Sequence, residues 1–179
     1  MHKFIVILAF ICGIIHLPQV ANAFSPQFLV TGSAGSGSCT GNTCNVSPLS
    51  FRGGLSAFYL YKNAAFGISG TFGEYYPQNG SMGTVSASVE GRYYLNLSKK
   101  LQLHGDIGAG YSKLKIHDDQ IDADWSTTGT FVAIGLGIAY LFTPQFSVGL
   151  DVKYHLNFWN EKDTDFNEWY STLGVAWRF

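Results

Sequence analysis

The sequence predicts an all-β chain, an antiparallel up-and-down barrel of eight strands that crosses a bilayer, and three observations carry that expectation. Hydrophobic residues make up 46% of the 179 residues and charged residues 13%, a balance tilted toward lipid and away from a water-soluble surface. Beyond the first segment, no stretch reaches the roughly 20 uninterrupted apolar residues that a spanning helix needs, so a crossing must be made by strands. Segments of about ten residues instead alternate large apolar side chains with small or polar ones, the period-two pattern of a membrane barrel.

The first segment is for export. Lys3 precedes the apolar run Phe4 to Leu17, Pro18 breaks the run, and Ala21-Asn22-Ala23 supplies a small-x-small cleavage site. Residues 1–23 therefore read as a signal peptide cut before Phe24, leaving the barrel domain over residues 24–179. A retained anchor would need a longer apolar core. Cys12 follows Ile11, where a lipoprotein would need a small residue.

The strands follow in order. Gln27 to Gly35 starts with Phe28 and Val30 against Leu29 and Thr31, and the even strand number of single-chain bacterial barrels asks for it. Leu49 to Tyr61 sets Phe51, Leu55, Tyr59 and Tyr61 opposite Ser50, Arg52, Gly54 and Ser56. Ala64 to Glu74 alternates Phe66, Ile68 and Phe72 with Gly67, Ser69, Thr71 and Gly73. Val85 to Leu97 sets Val85, Ala87, Val89, Tyr93 and Leu95 against Ser86, Ser88, Glu90, Arg92 and Tyr94. Leu101 to Ser112 does the same with Leu101, Leu103, Ile107, Ala109 and Tyr111 against Gln102, His104, Asp106, Gly108 and Gly110. Two cleaner rows run from Val132 to Phe142 and from Phe146 to Phe158. The last strand places Leu173, Val175, Trp177 and Phe179 on one side and Thr172, Gly174, Ala176 and Arg178 on the other.

Connections test the count, because such barrels have short turns on one side of the membrane and longer loops on the other. Short turns are expected at Lys62-Asn63, around Ser98-Lys99-Lys100 and at Thr143-Pro144-Gln145. Long loops are expected at Ser38 to Pro48, Tyr76 to Gly83, His117 to Ser126 and Asn160 to Asn167. A soluble barrel would also alternate, but its large apolar groups would point inward. Here the second face is mainly Gly, Ser, Thr and Ala with scattered charges, too small and polar to fill a dry core. Two aromatic girdles fit the two interfaces. Tyr59, Tyr61, Tyr93, Tyr140, Phe142, Phe146, Trp177 and Phe179 stand near the turns, and Tyr75, Tyr76, Tyr111, Phe158, Trp159 and Trp169 near the loops.

Cleavage would leave Cys39 and Cys44 as the only cysteines in an oxidising compartment, so a local disulfide is expected. A metal site there would want further thiolate or imidazole ligands, which the segment does not offer. Net charge of −1 gives no reason for a nucleic-acid partner.

With signal peptide, eight alternating strands, girdles and the ending Leu173-Gly174-Val175-Ala176-Trp177-Arg178-Phe179, the chain resembles the small OmpX/OmpA-type outer-membrane barrel family, the porin-like outer-membrane β-barrel domain. The resemblance covers the whole mature chain. It reaches only the membrane part of OmpA, with no peptidoglycan-binding domain expected after Phe179. It implies a bacterial outer-membrane location with periplasmic termini. It also implies that the row Leu173, Val175, Trp177 and Phe179 is an assembly signal read by the barrel-assembly machinery, with periplasmic chaperones as further partners.

Arg52, Glu90, Arg92, His104, Asp106, Asp151, Lys153, His155 and Arg178 fall on the lumen face. A turn centred on residue 99 sets Arg92 opposite Asp106 and Tyr94 opposite His104, and one centred on residue 144 sets Lys153 opposite Gly135 and Asp151 opposite Gly137. An eight-stranded lumen is just wide enough to be filled by side chains, so the expectation is a polar, salt-bridged core. The alternative is a narrow gated path for ions or small solutes. A lipid-modifying enzyme is a third reading, but no serine stands at nucleophile spacing from His155, and Ser112 and His104 lie several residues apart on one strand.

Two outer segments are acidic, His117 to Asp124 and Glu161 to Asp165 followed by Glu168. They read as solvated loops; the alternative is a loose Ca²⁺ or Mg²⁺ bridge from their carboxylates to lipopolysaccharide phosphates, for which no spacing matches a defined calcium loop. The resulting expectation is a monomeric, non-catalytic barrel in contact with outer-membrane lipid and lipopolysaccharide. It needs no cofactor or resident metal, and it serves envelope integrity or surface interactions.

Overall fold

The computed structural model describes residues 27–41, 44, 46–77, 80–118, 123–161 and 164–179, so the signal-peptide reading of residues 1–23 lies outside the described residues. Eight strands follow: β1 (Gln27–Thr40), β2 (Val46–Tyr61), β3 (Ala64–Pro77), β4 (Gly80–Asn96), β5 (Leu101–Asp118), β6 (Ala123–Leu141), β7 (Phe146–Trp159) and β8 (Asn167–Arg178). Each is antiparallel to its sequence neighbour, and β8 returns to β1 to close the barrel. This is the all-β, up-and-down topology that the alternation requires.

Side-chain direction follows the same alternation. Leu55, Phe66, Ile68, Val85, Val89, Leu136 and Leu173 each expose more than half their surface on the outer face. Their chain neighbours Ser69, Ser86, Glu90 and Thr172 are buried inside. A chain that hides its charges and displays its aliphatic groups is built for lipid, where the hydrocarbon around the barrel takes the place of a core. No helix among the described residues is long and apolar enough to cross a membrane.

The strands are longer than the oily rows that announce them. The ladder carries β1 on to Thr40, β3 to Pro77, and β5 and β6 to the pair Asp118 and Ala123, well into the segments expected to be long loops. What remains between strands at that end is residues 41–45, 78–79, 119–122 and 160–166. Alternation ends where lipid ends, but the backbone ladder needs only N–H and C=O groups and continues through polar residues above it. His117 on β5 faces Asp124 on β6, with Nδ1 2.8 Å from Oδ1.

Closure depends on the β1–β8 seam, paired from Leu29 with Arg178 to Thr40 with Asn167. Beyond the last pair, Phe28 and Phe179 exchange two backbone hydrogen bonds, Phe179 N–H to Phe28 O at 2.9 Å and Phe28 N–H to Phe179 O at 3.4 Å. Gly35 sits where β1 crosses close over β8, and a Cβ there would stand 1.9 Å from Ser171 O and 2.7 Å from Thr172 Cα. Gly35→Val is expected to block closure and abolish the compact, heat-modifiable form on gels. Gly83→Ala, where a Cβ meets nothing within 4 Å, is expected to keep it.

Candidate functional site

Inward-facing side chains fill the lumen in layers. At the loop end Tyr75, Met82, Leu114 and Phe166 form a buried apolar plug, with the disulfide of Cys39 and Cys44, Ile116 and Trp159 packed against it. Phe166 is fully buried, edge-on to Tyr75 at 5.4 Å between ring centres, and its carbonyl accepts the Trp159 indole N–H at 2.9 Å.

Beneath the plug, Arg52 from β2 reaches past β1 to Glu168 on β8, Nη1 donating to Oε1 at 2.6 Å, with both side chains 1% exposed. The same oxygen accepts the Tyr75 hydroxyl at 2.6 Å and the Thr84 hydroxyl at 3.1 Å. Arg52 also donates to Thr71 Oγ1 at 2.9 Å and lies 4.0 Å over the Tyr170 ring. His155 completes the layer. Its Nε2 is 2.7 Å from the Tyr170 hydroxyl, its Nδ1 is 3.5 Å from Glu168 Oε2, and Phe131 stacks on its ring at 4.3 Å.

A second layer joins β4, β5 and β7. Arg92 Nε lies 3.0 Å from Asp106 Oδ1, its partner across the ladder, and Lys153 Nζ lies 2.7 Å from Glu90 Oε2 and 3.4 Å from Asp106 Oδ2. A third lies toward the turns: His104 Nε2 meets Asp151 Oδ1 at 2.6 Å, and Arg178 Nη2 donates to Gln102 Oε1 at 2.5 Å. Between the layers is a cavity of about 60 Å³, lined on one wall by Thr31, Ser56 and Thr71.

Glycine makes these crossings possible. Gly135 lies on β6 between Asp106 and Lys153, and a Cβ there would meet Lys153 Cγ at 2.6 Å. Gly137 lies between His104 and Asp151, where a Cβ would stand 2.3 Å from His104 Nε2. Gly108, opposite Glu90, leaves room for that side chain in the same way.

All nine residues expected in the lumen point into it, and eight form ion or histidine–carboxylate pairs. The expected oppositions of Arg92 with Asp106, Tyr94 with His104, Lys153 with Gly135 and Asp151 with Gly137 are the observed register. Three placements need correction. Glu168, grouped with the acidic outer segment, is the buried partner of Arg52. Its even number puts it on the inward face with Thr172 and Arg178, a parity that could have found it. Tyr75, assigned to the outer girdle, is 1% exposed with its hydroxyl on Glu168, and Trp159 is tucked beneath Phe166. Leu173, Val175, Trp177 and Phe179 form the expected outward row.

His104, Asp106 and Asp151 offer ligand atoms within 4.8 Å of one another. Arg92 and Lys153 beside Asp106 already neutralise the cluster, so a divalent ion would face two fixed positive groups. The geometry is that of a charge-paired core. Removing one member of a buried pair strands the other, so Arg52→Met is expected to cost about 3–5 kcal/mol. The double variant Arg52→Met with Glu168→Leu is expected to recover most of that, measured by thermal unfolding in detergent.

Comparison with known proteins places the fold. The structure matches the crystal structure of Neisserial surface protein A (NspA) with a TM-score of 0.71 at 14% identity, covering 85% of this chain and 97% of that one. It matches Ail, the attachment invasion locus protein of Yersinia pestis, with a TM-score of 0.57 at 19% identity over 86% and 98%. The outer membrane enzyme PagL matches with a TM-score of 0.52 at 13% identity over 82% and 97%. A search of curated proteins finds no match. The family model described as outer membrane protein beta-barrel domain matches residues 6–179, and the chain belongs to that family.

Proposed function

We propose that the protein is a non-catalytic barrel that reinforces the outer membrane and offers its loop end for surface interactions. The closed lumen carries this reading. Four cations (Arg52, Arg92, Lys153, Arg178) and four carboxylates (Glu90, Asp106, Asp151, Glu168) occupy the lumen beneath an aromatic plug. Such an interior is filled and braced by its side chains rather than open as a passage.

Export through a signal peptide cut before Phe24 leaves both termini periplasmic. The outward row ending at Phe179 is the feature for the barrel-assembly machinery and periplasmic chaperones to read. Lipid and lipopolysaccharide surround the barrel, which acts as a monomer with no nucleic-acid partner. Catalysis finds no support in the lumen histidines, which are held by Asp151 and by Tyr170, or in Ser112, whose hydroxyl is bonded to that of Ser86 at 2.9 Å. The fold itself does not decide the matter, since PagL shares it.

The cavity of about 60 Å³ between charged layers keeps a second reading in play, a narrow gated path for ions or small solutes. Planar-bilayer recording separates the two: purified protein is expected to give no conductance steps, and steps altered by Lys153→Met would establish the path instead. Lipid A and phospholipid profiles are expected to be unchanged after incubation with the protein. Phe179→Ser is expected to lower the amount assembled in the outer membrane, and normal levels would count against the assembly role of that row.

A further inference from the structure

Arg178 differs from the other lumen cations. Arg52, Arg92 and Lys153 each have a carboxylate within 3.0 Å, whereas Arg178 has none within 4.0 Å among the described residues. Its Nη2 donates to a neutral amide, Gln102 Oε1, whose Nε2 in turn donates to Asn96 Oδ1 at 2.5 Å. Its Nε is buried without a hydrogen-bond acceptor among the described residues, and the residue is 7% exposed. Asp151, the carboxylate left over from the other pairs, is held by His104. A buried guanidinium with no counter-charge is costly.

The surroundings are shaped for one. Arg178 and Tyr94, whose ring centre lies 6.0 Å from the guanidinium carbon, both line the central cavity of about 60 Å³ and a space of about 10 Å³ at the turn end, so together they form the partition between them. One rung of the ladder above it stands Ala176, paired with Thr31 on β1 and with Ser147 on β7. All three line the central cavity together with Arg178 and with Asp151, whose carboxylate is held by His104, so the two hydroxyl residues and the guanidinium border one space. The turn side carries Lys62, Lys99 and Lys100 and no Asp or Glu side chain in residues 60–65, 94–103, 140–148 or 176–179, its negative group being the α-carboxylate of Phe179.

We propose that the lumen binds a small inorganic anion of halide size, held by Arg178 with hydroxyl donation from Thr31 and Ser147. The anion supplies the counter-charge that the pairing leaves Arg178 without, Asp151 in the same cavity being held by His104, and it enters from the turn end. The site is independent of whether the barrel conducts or acts at the surface.

The test uses protein extracted from outer membranes in detergent and heated in chloride, bromide or gluconate at equal ionic strength, followed by tryptophan fluorescence. The wild type is expected to unfold at a higher temperature in either halide than in gluconate, with a saturable dependence. Arg178→Gln lies beside the Phe179 row and can fail to assemble, so the deciding variant is Gln102→Glu, which places a carboxylate on Arg178. It is expected to raise the unfolding temperature in gluconate and to lose the halide dependence. Crystals soaked in bromide are expected to show an anomalous peak at the Arg178 guanidinium in the wild type and none there in Gln102→Glu. Equal unfolding temperatures of the wild type in halide and gluconate, a halide shift undiminished in Gln102→Glu, or bromide confined to surface lysines would overturn the proposal.

Discussion

A strand edge inside a bilayer has no water to bond with, so every unpaired N–H and C=O there costs several kcal/mol. That constraint makes the β1–β8 seam the contact on which the rest of this structure depends. Because the seam closes, the sheet has an inside, and because it has an inside, charged residues can sit at membrane depth without meeting lipid. Glycine at position 35 and the reciprocal bonds of Phe28 and Phe179 serve this single requirement at different heights.

The inside then raises a problem of its own. Charges withdrawn from water are tolerable only in mutual contact, and the pairs here are formed mostly between strands that are not neighbours: β2 with β8, β4 with β7, β5 with β7. The intervening strand must yield, which is why glycine occupies positions 135 and 137 on β6. The lumen is thus a set of struts braced across the barrel, and the wall is thinned where each strut passes.

Much of this was legible in the residues. Lipid selects strongly for one oily face, so the inward and outward rows could be read from alternation alone, and short turns made the neighbouring register a matter of arithmetic, as Arg92 and Asp106 show. The strut partners were not legible, because the meeting of Arg52 with Glu168 or Lys153 with Glu90 depends on strand tilt and stagger, which no local pattern records. Glu168 was obscured for a second reason, its place beside an acidic run that suggested solvent. Strand ends were hidden because a ladder above the membrane is held by backbone groups and asks nothing distinctive of side chains.

Those extended ends have a mechanical consequence. On β5 the outer row turns from Tyr111 to the exposed Lys113 and Lys115, and the ladder with β6 runs on to Asp118. Seven further residues at about 3.3 Å each, tilted by roughly 40°, raise the Asp118–Ala123 pair about 15–20 Å above the aromatic girdle. A hydrogen-bonded ribbon of that height is a stiff mast, whereas an irregular loop of equal length would be a tether. A partner meeting the Asp118–Ala123 end of that ribbon would therefore meet it at a set height and bearing, with little of the entropy loss that docking a mobile loop entails.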